Sequence, residues 1–210
     1  MPSGAGAPLG MLSSSIRLIN LALPPLPATL TAMQILLDAQ HIQQTIRQLA
    51  QRVHADASLH NGHALALVGI RSRGEILAQR LADEIARLDG HSKLEVGALD
   101  ITMYRDDLST RAAITIPQGT EMNFRLDDRP VILVDDVLDT GRSVRAALDA
   151  LVDFGRPRFI RLLVLVDRER REYPIAADYV GIKVDAPDPE QKVLVRLRPT
   201  DDEDAVYLQT

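Results

Sequence analysis

The sequence predicts an α/β protein built on a mainly parallel, twisted sheet flanked by helices, and three observations carry that reading. Residues 64–70, 131–134 and 159–166 are short apolar runs rich in Val, Ile and Leu, the pattern of strands buried on both faces. The first two runs each lead through a small turn into apolar residues at helical spacing. The chain has 210 residues, 46% of them hydrophobic, enough for one domain with a sizeable core.

Residues 1–32 are unlike the rest. They begin rich in Gly, Ala, Pro and Ser, and Pro24, Pro25 and Pro27 break the apolar stretch that follows Arg17. A signal-peptide reading of that stretch is opposed by the prolines and by the lack of a basic start. The expectation is a disordered or spurious extension over 1–32, and a single domain over 33–210. Ile35, Leu36 and Leu37 suit a short strand, and Asp38 an N-cap. Ile42, Ile46, Leu49, Ala50 and Val53 then share one helix face. After a loop over 56–62, the strand at 64–70 ends in Arg71, Ser72, Arg73 and Gly74, and Ile76, Leu77, Leu81 and Ile85 face inward from a second helix that Gly90 closes. A strand from 94 to 99 is expected to run on towards 100–104. The polar connection over 105–128 reads as a hairpin or an active-site flap. Beyond the strand at 131–134, Val144, Ala147, Leu148 and Leu151 mark the inward face of a third helix, and Gly155 its end. The strand at 159–166 stops at Asp167 and Arg168, and short strands are expected at 179–184, 193–197 and 205–208.

Composition removes several function classes. The net charge of −5 argues against a general nucleic-acid or membrane-surface protein. The chain has no Cys, which excludes disulfides and thiolate catalysis, and its five His show no metal-ligand spacing. No apolar run is long enough to span a bilayer, so no membrane partner is expected. Apart from Lys93, Lys183 and Lys192 the basic residues are Arg, which suits bidentate phosphate contacts, although genome composition produces the same bias.

The chemistry concentrates in residues 131–143, VILVDDVLDTGRS. A buried strand delivers two adjacent carboxylates, Asp135 and Asp136, to the carboxyl edge of the sheet, where ligands of such sheets bind. A hydroxyl-bearing turn, Asp139, Thr140, Gly141, Arg142 and Ser143, then opens onto a helix N-terminus, a ready phosphate site. Carboxylates accept hydrogen bonds from a vicinal diol, and Mg²⁺ suits a position between carboxylate and diphosphate. The pattern is therefore a sugar diol beside a phosphate, without the Lys of a nucleoside triphosphatase loop.

These residues resemble the 13-residue 5-phosphoribosyl-1-diphosphate (PRPP) signature of type I phosphoribosyltransferases. The segments LVGIRSRG at 67–74, LDITMYRDDL at 99–108, VLVDR at 164–168 and ADYVG at 177–181 are similar to the PyrR family, bifunctional pyrimidine-operon regulators with uracil phosphoribosyltransferase activity. The similarity covers about residues 34–208. It implies the type I fold with a small hood and a flexible flap, and UMP and diphosphate made from uracil and PRPP with Mg²⁺ as cofactor. Asp135 and Asp136 would hold the ribose hydroxyls and, indirectly, the metal. Residues 139–143 would cradle the 5-phosphate. Ser72 and Arg73 would bind the diphosphate, on a loop with a non-proline cis peptide. Tyr104, Arg105, Asp106 and Asp107 would begin the flap, with Arg105 reaching the diphosphate. Arg168 and Val180 would line the uracil pocket. Arg73, Arg105, Asp135 and Asp136 form the catalytic set. The resemblance further implies a cytoplasmic homo-oligomer, a dimer or higher.

Two departures from the family pattern matter. Asp139 stands where the family has an aromatic residue and where purine phosphoribosyltransferases place an Asp. It keeps a purine base as an alternative substrate, although a solvent-side acid is the reading adopted. On the first helix, Arg47 and Gln51 replace a Thr and a His that contact leader messenger RNA, while Arg171 matches one basic RNA site. An enzyme with weakened or lost regulation is thus weighed against an RNA-binding attenuation regulator with secondary catalysis.

Overall fold

Three consecutive strands explain the two faces of the core. The computed structural model describes residues 33–59, 64–90, 94–106, 119–185, 188 and 190–210; the expectation for residues 1–32 lies outside them. Strands β2 (Ala66–Ile70), β4 (Pro130–Leu138) and β5 (Phe159–Asp167) lie side by side and parallel, with β3 (Glu95–Leu99) and β6 (Tyr179–Lys183) at the edges, in the order β3-β2-β4-β5-β6. Alternate residues of each strand leave on opposite faces. Leu67, Ile132, Val134, Leu163 and Leu165 pack beneath helices α1 (Ala39–Ala55) and α2 (Arg73–Leu88). Ala66, Val68, Val131, Leu133, Leu162 and Val164 pack beneath α3 (Arg142–Leu151). Both faces are covered, so the strands are apolar throughout rather than alternating.

The helices follow their sequence signals, with one exception. Asp38 caps α1 by accepting the backbone N–H of His41 at 2.9 Å, and the five expected inward residues of α1 are all buried. In α3, Leu148 is 37% exposed, whereas Ala146 and Ala150 are buried. The buried arc centres on the alanines, which let the helix lie close to the sheet, and Leu148 falls outside it. Gly155 (φ 131°) ends a 3₁₀ turn, Val152–Phe154, that extends the helix.

Two strand boundaries also differ from expectation. β3 stops at Leu99 and gives way to a 3₁₀ turn over Thr102–Tyr104. The connection beyond returns to the sheet, where Ala98 and Glu121 exchange backbone hydrogen bonds of 2.8 Å in an antiparallel bridge. Asp107 and the rest of the expected flap to residue 118 lie outside the described residues. β4, in turn, does not end before its acids but continues through both to Leu138.

The short strands form a separate antiparallel sheet, the hood, in which β1 (Met33–Leu37) and β7 (Lys192–Arg196) flank β8 (Ala205–Gln209). Helix α2 grips the β7–β8 connection through two guanidinium forks. Arg73 donates to Asp201 at 2.8 and 2.9 Å, and Arg80 to Asp204 at 2.8 and 2.9 Å. The two arginines are seven residues apart, two turns along one helix face.

At the other end of this joint, Gly74 lets α2 touch β4 beside the acids. A Cβ on Gly74 would lie 2.5 Å from the Val134 carbonyl oxygen and 3.2 Å from the Asp135 Cα. Both neighbours are backbone and cannot step aside cheaply. Gly74→Ala is expected to destabilise the fold by roughly 1–3 kcal/mol, the usual cost of overpacking, measured by denaturant unfolding.

Candidate functional site

The strand period separates the two acids. Asp135 shares the face of Val131 and Leu133, towards α3, and Asp136 shares that of Ile132 and Val134, towards α2. Each carboxylate accepts the next backbone N–H, Asp136 N to Asp135 Oδ1 and Val137 N to Asp136 Oδ1, both at 2.9 Å. Burial holds the Asp135 pKa well above the ordinary carboxylate value, and the neighbouring Asp136 charge pushes the same way. Burial also raises that of Asp136, against the opposing pull of the Arg73 guanidinium.

On the α3 side, Asp135 borders a cavity of about 290 Å³ lined by Arg105, Thr140, Gly141, Arg142 and Ser143. Gly141 sits before the helix at φ 93° with no side-chain cap, so the turn meets a helix N-terminus left open to a ligand. An anion there gains from those amides and from the helix dipole. Arg105 donates from Nη1 to Ser143 Oγ at 2.6 Å. The structure therefore sets this arginine at the 139–143 loop, whereas the resemblance implied a place at the diphosphate. Asp139 is also not a solvent-side acid. Arg168, buried at 6% exposure, donates to its Oδ2 at 3.1 Å.

On the α2 side, Asp136 and Arg73 border a second cavity, of about 530 Å³, together with Val193, Leu194, Val195 and Asp201. The peptide bond Arg71–Ser72 is cis. Ser72 faces a neighbouring cavity of about 660 Å³ with Arg71, Glu121 and Thr200, and Arg71 pairs with Glu121 at 2.7 Å.

The remaining candidates scatter. Val180 lies on β6 opposite Val164, gives its carbonyl to Arg52 at 3.0 Å, and borders none of the three cavities. The apolar wall beside Asp136 comes from β7 instead. Arg168 donates its other terminal nitrogen to the Gln191 carbonyl at 2.8 Å, which ties the β5 end to the approach to β7. Arg171 spends its donors within the fold, on Asp167 Oδ1 at 2.5 Å and on the carbonyls of Ile175 and Asp139 at 2.8 Å. Arg47, exposed on α1, faces Glu84 at 3.6 Å. Asp201 is the site residue that sequence reasoning missed. It stands 128 residues from Arg73, and its local signal is only one of several acids in a turn.

Among the described residues no cluster of three or more His, Cys, Asp or Glu is arranged to hold a metal. Asp135 at one cavity and Asp136 at the other are hard carboxylate donors of the kind that fit a Mg²⁺, which keeps several waters and takes substrate phosphate oxygens as ligands. Asp135 and Asp136 would hold such an ion only in partnership with substrate. No helix among the described residues is long and apolar enough to cross a membrane.

The sequence pattern of the phosphoribosyl transferase domain family matches residues 33–198. The chain is similar to the bifunctional protein PyrR of Desulfosudis oleivorans, 48% identical over 175 residues that cover 83% of this chain and 94% of that protein. It is 45% identical over 177 residues to the PyrR of Bacillus cereus, covering 83% and 96%. Among solved structures, a ternary substrates complex of a Trypanosoma cruzi hypoxanthine phosphoribosyltransferase matches with a TM-score of 0.64 at 18% identity, over 86% of this chain and 96% of that one. A hypoxanthine phosphoribosyltransferase of Staphylococcus aureus matches with a TM-score of 0.58 at 20% identity, over 82% and 90%. At such identities these two likenesses speak for the fold alone. A parallel sheet that carries a buried acid pair between a phosphate-type loop and an arginine loop, matched by relatives of this identity over nearly their whole length, places the chain in the PyrR family of phosphoribosyltransferases.

Proposed function

We propose that the chain makes UMP and diphosphate from uracil and PRPP, the enzymatic half of PyrR bifunctionality. The observation that carries the reading is the division of labour between Asp135 and Asp136. One carboxylate faces the open helix N-terminus with its hydroxyls, and the other faces Arg73. A ribose bearing a 5-phosphate at one end and a diphosphate at the other spans that divide. Asp135 and Asp136 accept hydrogen bonds from the ribose hydroxyls. Thr140, Ser143 and the amides after Gly141 hold the 5-phosphate, with Arg105 beside them. Arg73 neutralises the diphosphate on exchanging Asp201 for it, and Ser72 sits on the same loop. No protein nucleophile is needed, since the diphosphate departs as C1 gains positive character and uracil N1 attacks the opposite face. Mg²⁺, when bound, adds charge neutralisation of the leaving group. The protein supplies alignment and fixed charges.

Val193, Leu194 and Val195 offer an apolar wall for the base beside Asp136, with Arg168 and Val180 as its further base-lining residues. Arg168 holds Asp139 Oδ2, which supports a structural role for this acid over selection of a purine. With PRPP and Mg²⁺, a panel of uracil, orotate, hypoxanthine, guanine and xanthine is expected to yield UMP alone. Turnover of hypoxanthine or guanine in place of uracil would overturn the choice of base. Asp136→Asn and Arg73→Ala are expected to lower kcat/KM by at least about a hundredfold, the scale for loss of a fixed charge at a transition state, with the circular dichroism spectrum unchanged.

The acids cost stability while the site is empty. The folded pKa of Asp135 exceeds its ordinary 3.8, so the unfolded chain binds fewer protons between those values and stability falls as pH rises through that window. Asp135→Asn removes the fall. At pH 7 the ligand-free variant is expected to melt above the wild type and to turn over far more slowly, as measured by calorimetry and by UMP formation.

The second PyrR function, regulation through leader RNA, is weakened or lost in this chain, a cytoplasmic protein that acts as a homo-oligomer. Arg171 is committed to the fold and Arg47 is partnered by Glu84, which supports weakened RNA contact. A gel shift with pyrimidine-operon leader RNA is expected to show little retardation with or without UMP; tight, UMP-enhanced binding would establish that regulation is intact.

A further inference from the structure

Arg105 reaches the loop cavity from a segment that is held there by its neighbour. The residue is extended (φ −81°, ψ 135°), so its side chain and that of Asp106 leave the backbone on opposite sides. One meets Ser143 Oγ at 2.6 Å inside the cavity. The other is met by three donors: Arg142 Nη1 at 3.2 Å, Arg145 Nη1 at 3.4 Å and the Tyr173 hydroxyl at 3.1 Å. These donors belong to the first turns of α3 and to the loop after β5. Arg142 is itself fixed, by an ion pair with Glu172 and by its place 5.6 Å over the Tyr173 ring. On the other flank, the Tyr104 hydroxyl donates to Asp153 at the far end of the same helical segment. Desolvation works against the charge of Asp106, but hydrogen bonds from Tyr173 and Arg142 keep its pKa below the ordinary value, so it is a carboxylate at neutral pH.

We propose that Asp106 is a positioning residue whose clamp by Arg142, Arg145 and Tyr173 sets the Arg105 guanidinium against the 139–143 loop, so that PRPP binding at its 5-phosphate end depends on a residue that never touches it. The proposal rests on the reading of that cavity as the 5-phosphate site. Exposed ion pairs contribute little to stability, and this clamp acts on geometry. Arg142 and Arg145 are also held on their other sides by Glu172 and Asp149, so the donors that anchor Asp106 are themselves fixed.

The test is a double-mutant cycle on the full chain. Asp106→Asn is expected to raise KM for PRPP about tenfold while KM for uracil stays within twofold. Arg145→Met, which loosens the clamp from its other side, raises KM for PRPP several-fold. Arg105→Ala raises it at least as far as Asp106→Asn does, and adding Asp106→Asn to Arg105→Ala changes nothing further. The proposal is overturned if Asp106→Asn has its full effect in the Arg105→Ala background, or if KM for uracil rises equally. Calorimetry with ribose 5-phosphate separates the two layers. A wild type that binds no ribose 5-phosphate sinks the 5-phosphate reading, and the proposal with it. A wild type that binds it, with an additive cycle, sinks only the role of Asp106.

Discussion

Everything at this site depends on one strand that does not stop where its hydrophobicity stops. β4 stays in register with β5 past the end of the apolar run, with Asp135 opposite Val164 and Val137 opposite Val166. The β2 ladder ends at Val134, and the ladder to β5 alone carries the strand past the acids in extended backbone, where side chains alternate. Two carboxylates adjacent in sequence are thereby sent to two faces of the sheet. Had the chain turned before Asp135, both would have faced one solvated edge and could not have divided a substrate between them. The cost is burial of charge, visible in the raised pKa of both groups, and it is offset only in part by the amides of Asp136 and Val137 and by Arg73.

The hood turns this local geometry into a cleft. Its strands pair only with one another, so its position relative to the main sheet has to be set by other contacts. The forks from Arg73 and Arg80 to Asp201 and Asp204 do this from one face of α2, and Arg80 adds a donation to the Arg198 carbonyl at 2.9 Å. Bidentate guanidinium–carboxylate pairs are the directional form of an ion pair. The same Arg73 is the cation whose charge draws the Asp136 pKa down against burial. Hood placement and the electrostatics of the acid pair are thus linked through a single side chain, and the close approach at Gly74 brings the helix that carries it against β4.

Much of this was legible in the sequence, for physical reasons that also mark where legibility ended. Strands buried on both faces announce themselves by continuous Val, Ile and Leu, and the helices by spacing and by Asp38. Residues 131–143 declared a diol beside a phosphate because acids, hydroxyls and Gly141 sit in one short span. Strand ends were misjudged where chemistry overrides pattern, since Asp135 and Asp136 look like a terminus and are interior. Leu148 was misplaced because the alanines beside it carry little hydrophobic signal and yet pack closest. The partners of Arg73 and Arg105 were beyond reach, because ion pairs over long sequence separations have no periodicity to read. β7 shows the same limit, for it is a short apolar strand that only the topology puts beside Asp136.

The cations of the site share a further property that only side-chain placement reveals. Arg73 faces Asp201, Arg168 faces Asp139, Arg71 faces Glu121, and Arg142 faces both Glu172 and Asp106. A cluster of unpaired guanidinium groups around a buried acid pair would repel one another and destabilise the empty protein. Carboxylate partners remove that strain. At these four arginines an incoming anion would exchange one ion pair for another. Such an exchange favours a ligand that offers several anionic groups at fixed separation, because the replacement groups share one loss of translational freedom. In a chain of net charge −5, where the long-range field does not draw polyanions in, such multidentate exchange would favour a ribose that carries both a phosphate and a diphosphate over simple phosphate.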